Sequence, residues 1–195
     1  MRNIVVSPPF VTLDGVMQAP GEPDEIQHGG WMIPYVSEET LQQTFEEYLA
    51  SDALLMGRVT YHRLAAAWPT NTDEGLPKGF AAHMNSMRKY VMSKTLDFVA
   101  WNNTRVLHGD LAQEIARLKQ EGDRDIIVIG SCELVCSLTQ LHLVDEYRLM
   151  IPPVVIGNGK RLFRDGTAMK TLKLRETKTF KNGVIVLSYQ PERNE

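Results

Sequence analysis

Short apolar runs rich in valine and isoleucine alternate along this chain with stretches in which apolar residues recur at helical spacing. The runs at residues 3–7, 53–56, 89–92, 104–107 and 126–129 mostly lack the polar alternation of a half-solvated strand. Most are therefore expected to be strands buried on both faces of a sheet. Between them, Ser37-Glu38-Glu39-Thr40 supplies an N-cap and an acidic first turn, and Leu41, Phe45, Tyr48 and Leu49 mark the apolar face of the helix that follows. A second helix is expected to start near Arg58. Asp110 is placed to cap a third, in which Leu111, Ile115 and Leu118 recur before Gly122, and Ser131 to cap a fourth. Strand and helix in alternation predict an α/β fold with a largely parallel sheet. Beyond Leu141 the pattern changes: residues 146–155, 172–180 and 184–189 read as longer strands, the last two joined at Lys181-Asn182-Gly183 as an antiparallel hairpin. The Pro- and Gly-rich stretches at 19–34 and 69–79 are long for connections in a compact domain, a length that favours the border of a ligand site.

Composition narrows the partners more than the fold. With 195 residues, 43% hydrophobic and 23% charged, the chain reads as a single globular domain over 1–195, without disorder, repeats or low complexity. A net charge of −3 provides no long-range positive field for a phosphate backbone, so nucleic acid is not an expected partner. A bound anion must be held by a few placed residues and amides. Ile4 to Val6 before Ser7-Pro8-Pro9 is too short for a signal sequence or a membrane span, and a cytoplasmic location is expected. Cys132 and Cys136, four apart, read as reduced core thiols. The five histidines are scattered, with no His-Glu-x-x-His run and no Cys pair at zinc spacing, so no metal is expected. No Walker lysine motif or Gly-x-Ser-x-Gly elbow occurs, and Gly157-x-Gly159 lacks the third glycine of a dinucleotide fingerprint.

Three segments carry phosphate chemistry. In Leu55-Met56-Gly57-Arg58-Val59-Thr60-Tyr61 an apolar strand runs through one glycine into a helix start, where backbone N–H groups, the helix dipole and an arginine all favour an anion. The bland alternative is a plain turn with a solvated arginine. Ile126-Ile127-Val128-Ile129-Gly130-Ser131 repeats the geometry, against the alternative that Gly130 only relieves crowding. Two such junctions can share one crevice if their strands are neighbours, because ligands of open α/β sheets collect at the carboxyl ends of strands. Tyr90-Val91-Met92-Ser93-Lys94 ends a third strand in a hydroxyl and an ammonium, either a phosphate grip or a solvated strand end.

In this order the segments resemble the dihydrofolate reductase superfamily, and more closely the reductase domain of the bacterial bifunctional riboflavin-biosynthesis deaminase-reductase. Thr12-Leu13-Asp14-Gly15-Val16 is similar to that family's Ser-Leu-Asp-Gly segment, Leu55 to Tyr61 to its Gly-Arg-x-Thr junction, and Ile127 to Ser131 to its second glycine turn. Leu143 to Leu149 and Pro153 to Phe163 are similar to the segments that follow, so the resemblance runs from about Ile4 to Tyr189. It implies a three-layer dihydrofolate-reductase-like fold, with a mixed, mostly parallel sheet, helices on both faces and the C-terminal hairpin. It also implies NADPH as cofactor. Gly57, Arg58 and Thr60 would hold its phosphates, Ser93 and Lys94 its adenosine 2′-phosphate, and Gly130 with Ser131 the pyrophosphate. Asp14, Gly15 and Val16 would lie by the nicotinamide, and Trp31 would border the substrate pocket. Two positions depart from the family pattern. If Phe45 matches the phenylalanine that packs on substrate in dihydrofolate reductases, the catalytic carboxylate position holds Leu41, which can neither grip a pterin amino group nor assist protonation. Ser131 replaces one glycine of the usual pair.

The leading expectation is an NADPH-dependent oxidoreductase that transfers hydride to a small heterocyclic or aminopyrimidine-like substrate, in the manner of a riboflavin-biosynthesis reductase. Asp14 is the candidate proton donor, weighed against a role in stabilising the turn with Gly15. A nucleotide-binding module without turnover, and a structural subunit with an empty cleft, are the rivals. The apolar C-terminal strands suit a symmetric homodimer.

Overall fold

The computed structural model describes residues 1–7 and 10–192; Pro8 and Pro9, which close the first predicted strand, and residues 193–195 of the expected domain lie outside the described residues. The elements run β1 (Ile4–Val6), α1 (Glu38–Leu49), β2 (Ser51–Gly57), α2 (Arg58–Ala67), α3 (Phe80–Ser86), β3 (Arg88–Met92), β4 (Thr104–Leu107), α4 (Leu111–Leu118), β5 (Asp125–Val128), α5 (Cys132–Gln140), β6 (Glu146–Ile151), β7 (Leu172–Thr179) and β8 (Ile185–Pro191). Among the described residues, eight strands form one sheet in the order β4-β3-β2-β5-β1-β6-β8-β7. The pairs from β4 to β6 are parallel, and β6 with β8 and β8 with β7 are antiparallel.

Side chains on successive strand positions point to opposite faces, and the two faces are covered by different helices. Ile4, Val6, Leu55, Ile126, Val128 and Leu149 pack with Ile115 and Leu118 of α4 and Leu134, Val135 and Leu138 of α5. Leu54, Met56, Val91 and Ile127 pack with Tyr48 of α1, Tyr61 of α2, and Phe80 and Met84 of α3. These are the three layers, and the near-continuous apolarity of the central runs reflects burial on both sides. A smaller cluster, including Trp31, Met32, Met150, Phe180 and Val184, covers the sheet beside the C-terminal hairpin.

Caps set several boundaries. The Ser37 hydroxyl accepts from the Thr40 N–H at 3.3 Å while the Ser37 N–H donates to Thr40 Oγ1 at 2.9 Å, a reciprocal capping box. Asp110 accepts from the Gln113 N–H at the start of α4. Three expectations need correction. The inner face of α1 carries Thr40, Thr44, Glu47 and Tyr48, while Leu49 is 45% exposed and Leu41 only half-buried. Part of the surface beneath that helix is polar, where Ser7 bonds Glu47 and Gln43 reaches the same carboxylate, while Phe45 and Tyr48 pack on apolar side chains as expected. Helix α3 lies outside the helices read from the pattern: its start is capped by Asp73, which accepts from Gly79 N–H at 2.7 Å and Ala81 N–H at 2.6 Å from several residues away, so no local cap announces it. Strand β6 stops at Ile151 rather than 155, where Pro152-Pro153 removes two ladder donors.

Candidate functional site

Strands β3, β2 and β5 are consecutive and parallel, with Gly57 in register with Met92 and Leu55 with Val128. Their carboxyl ends therefore bring Ser93-Lys94, Gly57-Arg58 and Gly130-Ser131 to one end of the sheet. That is where ligands of open α/β sheets bind. A surface depression of about 360 Å³ lies elsewhere, between α1 and β7, lined by Gln42, Gln43, Lys178 and Phe180 among others. It is not joined to these strand ends, and strand-end chemistry is the better guide to the site.

The junction of α2 and α5 is tight. Gly130 has φ +56°, and a Cβ added there would meet Thr60 Cγ2 at 2.9 Å, so glycine is required both by its backbone and by the approach of the first turn of α2. Ser131 stands at the N-cap of α5 with φ 60° and ψ 65° and caps nothing in its own helix. Its hydroxyl instead accepts from the Gly57 N–H at 2.7 Å and donates to Thr60 Oγ1 at 2.7 Å. Gly57, Thr60, Gly130 and Ser131 are thus one hydrogen-bonded unit, and the Gly57 amide is satisfied from within the protein. Arg58 and Lys94 are exposed and make no ion pair among the described residues. Ser93 Oγ accepts from Thr95 N–H at 3.2 Å and Leu96 N–H at 3.1 Å, which tightens the turn after β3 and leaves its own O–H free to donate.

A second unit forms around the loop after β1. Asp14 accepts from the Thr12 hydroxyl at 2.6 Å, Gly157 N–H at 2.8 Å and Ile156 N–H at 3.3 Å. The Thr12 hydroxyl foremost, with those two amides, holds the Asp14 carboxyl below its ordinary range against a smaller opposing effect of burial. Backbone bonds from Leu13 to Val154, Met17 to Lys160 and Leu162 to Gly15 continue the clasp. Gly159 receives this loop: a Cβ there would lie 2.7 Å from Val16 Cγ1, with φ +113°. The clasp then reaches α5, because Lys160 and Arg164 each hold Glu133 at 2.8 Å. The Arg164 and Lys160 hydrogen bonds push the Glu133 carboxyl down to about 2. The Asp14 clasp therefore reaches the first turn of α5, the helix that Ser131 precedes, through ion pairs to the exposed Glu133.

The remaining sequence candidates are more dispersed. Trp31 is buried, and its Nε1–H donates to the Gln18 carbonyl at 2.8 Å, which ties the 19–34 loop to the Asp14 segment. Phe45 stacks on Phe80 with ring centroids 4.9 Å apart, and half-buried Leu41 lies one turn before it on α1. One group escaped the sequence reading. At the carboxyl end of β1 the Ser7 hydroxyl donates to the buried Glu47 carboxylate, which also accepts from Gln43 Nε2 at 3.0 Å. On the neighbouring β6, burial pulls Arg148 down but its bond to Glu146, with Glu47 and Asp125 nearby, holds it above the ordinary guanidinium value. The available signal was the spacing of Thr40, Thr44 and Glu47 at i, i+4 and i+7, a polar stripe that only a polar sheet surface can receive. Among the described residues, no cluster of three or more His, Cys, Asp or Glu is placed to hold a metal ion, and no helix is long and apolar enough to cross a membrane.

Comparison with known proteins agrees with this architecture. The family model described as RibD C-terminal domain matches residues 4–186. Protein YyaP of Bacillus subtilis (strain 168) is 32% identical over 180 residues, 92% of this chain and 90% of that protein. A pyrimidine reductase-like protein from Corynebacterium diphtheriae superimposes with a TM-score of 0.68 at 15% identity, covering 99% of this chain and 93% of its own. Dihydrofolate reductase from Enterococcus faecalis, complexed with NADP(H), superimposes with a TM-score of 0.64 at 11% identity, covering 98% and 97%. The fold is dihydrofolate-reductase-like, with the mostly parallel sheet and antiparallel C-terminal hairpin that the sequence predicted.

Proposed function

Because the chain belongs to the RibD C-terminal domain family, we propose that it is an NADPH-dependent reductase acting on a small heterocycle of the aminopyrimidine class. The observation that carries this reading is the convergence of Gly57, Gly130 and two exposed cations, Arg58 and Lys94, at the carboxyl ends of three adjacent parallel strands. The donor set suits phosphate in part: the start of α5 has no side-chain cap and two exposed cations stand nearby, while the Gly57 amide is held by Ser131 and the space beside Gly130 is filled by Thr60. Gly57, Arg58 and Thr60 hold one phosphate, Gly130 and Ser131 the other. The Ser93 hydroxyl and the Lys94 ammonium take the 2′-phosphate, which selects NADPH over NADH. Bound there, the cofactor supplies hydride. Asp14 acts as an anchor that positions Gly15 and Val16 beside the reacting ring, since its carboxylate is engaged three times and its pKa is lowered. Trp31, Leu41 and Phe45 border the substrate side. We also read the chain as a single domain that pairs into a homodimer through its C-terminal strands, of which β7 is an exposed edge.

The test is a titration with NADPH and NADH, followed by turnover across pterins, flavins and ribosylaminopyrimidines. Saturable binding with preference for NADPH, oxidation by a ribosylaminopyrimidine and little or none by dihydrofolate are expected. Leu41 is the observation that favours a second reading, a nucleotide-binding module. Under that reading NADPH binds but no acceptor oxidises it.

A further inference from the structure

Resting on the cofactor reading above, we propose that the Ser131 side chain is an internal competitor for the dinucleotide's pyrophosphate and sets the affinity of the site. A serine at an N-cap ordinarily accepts from an amide two or three residues into its own helix, a bond worth about 1 kcal/mol. Ser37 does this at α1, and Asp110 does the equivalent at α4. Ser131 forgoes it. It also holds φ 60°, a left-handed conformation that strains an L-residue with a Cβ. Two local preferences are thus set aside for two contacts across the fold, the Gly57 N–H and Thr60 Oγ1, both at 2.7 Å.

What those contacts have in common identifies the competition. The Gly57 N–H is the amide at the N-cap of α2, and Thr60 is in its first turn. The Ser131 oxygen takes the acceptor place on the Gly57 amide that an oxygen of a bound phosphate would take, while its own proton goes to Thr60 Oγ1, whose hydroxyl would have to turn to donate to a phosphate. At 2.7 Å the Ser131 oxygen already takes the single Gly57 N–H in a short bond, so a second acceptor cannot bond it equally well. For a phosphate oxygen to reach Gly57, Ser131 Oγ must leave. The exchange replaces one hydrogen bond by another, and the lost Ser131–Gly57 bond is subtracted from binding.

The competition acts on the pyrophosphate, which NADPH and NADH share. Removing the hydroxyl therefore tightens both by the same factor and leaves the preference between them unchanged. We would measure Kd for each by fluorescence titration in the wild type, Ser131→Ala and Ser131→Gly, together with hydrogen exchange of the Gly57 amide. The glycine variant guards against backbone effects because it tolerates the positive φ without strain. The expected result is roughly five- to tenfold tighter binding of both dinucleotides in both variants, the size of one net hydrogen bond. Faster exchange at Gly57 in the free variants, reversed by NADPH, is expected alongside it. Unchanged or weaker binding in Ser131→Ala would overturn the competitor alone and leave the cofactor reading in place. No binding of either dinucleotide by the wild type and both variants would overturn the two together.

Discussion

Asp14 and Gly157, 143 positions apart in the chain, are joined by a hydrogen bond of 2.8 Å from the Gly157 amide to the Asp14 carboxylate. With the Thr12 and Ile156 contacts, this bond holds the loop after β1 against the segment after β6. Asp14→Ala leaves two amides and a hydroxyl without their acceptor. A loss of about 1–3 kcal/mol is expected, less if water replaces the carboxylate. Chemical denaturation at neutral pH measures it. Dinucleotide affinity is expected to fall as well, because the loop is freed.

Glu133 gives the clasp an acid limit. Its folded carboxyl is pushed down to about 2 from an ordinary 4.5, so the unfolded chain binds its proton first as pH falls. The stabilisation is fully present above about 4.5 and is lost progressively toward 2. Thermal melting across this range is expected to show a steeper decline in the wild type than in Glu133→Gln. Because the carboxylate is 66% exposed, added salt should narrow the gap between them.

Lys89 is fully buried, with its ammonium donating to the carbonyls of Asn85, Met87 and Asn102 at 3.0, 2.8 and 3.2 Å. It also lies 4.4 Å from the Trp101 ring centroid. Burial pushes its pKa down to about 8 from 10.5. The unfolded chain then holds more protons between those values, so this group makes stability rise with pH from about 8 to 10.5. Lys89→Met leaves three carbonyls without their donor and is expected to destabilise by about 2–4 kcal/mol at neutral pH. Urea midpoints at pH 7, 9 and 10 should show that the variant has also lost the rise.

Gly130→Ala separates space from backbone. The new methyl would meet Thr60 Cγ2 at 2.9 Å and must adopt φ +56°, whereas Gly166→Ala, at φ +83°, would meet nothing within 4 Å. Gly166→Ala should cost only about 1 kcal/mol of conformational strain. At Gly130 overpacking adds to it, for about 2–4 kcal/mol in all, with weakened dinucleotide binding. Equal losses at the two sites would show that Thr60 can move aside.

The two exposed cations should differ in what they read. Lys94→Ala is expected to erase most of the preference for NADPH while leaving NADH affinity nearly unchanged. Arg58→Ala should weaken both dinucleotides alike, by roughly tenfold, the worth of a charge-assisted phosphate bond. A preference for NADPH that survives both substitutions would remove these residues from the phosphate site.

Local chemistry determined what the sequence made legible. Most of the valine- and isoleucine-rich runs are buried strands, Ser37 and Asp110 cap the helices they precede, and Gly57 and Gly130 sit where strands turn into helices. The element order and the strand-to-helix junctions at Gly57 and Gly130 follow from contacts a few residues apart, which a linear pattern records. Tertiary structure alone decided the partners. Ser131 reads as a cap for its own helix, yet its hydroxyl crosses to Gly57 because β2 and β5 pair side by side. Asp14 reads as either a proton donor or a turn residue, and it takes up amides delivered from beyond β6. Glu47 has no place in the sequence reading, and the structure buries it where Ser7 meets it at the end of β1. A hydrogen bond between residues far apart in the chain leaves no periodicity behind, so which donor meets which acceptor is fixed only once the sheet has ordered its strands.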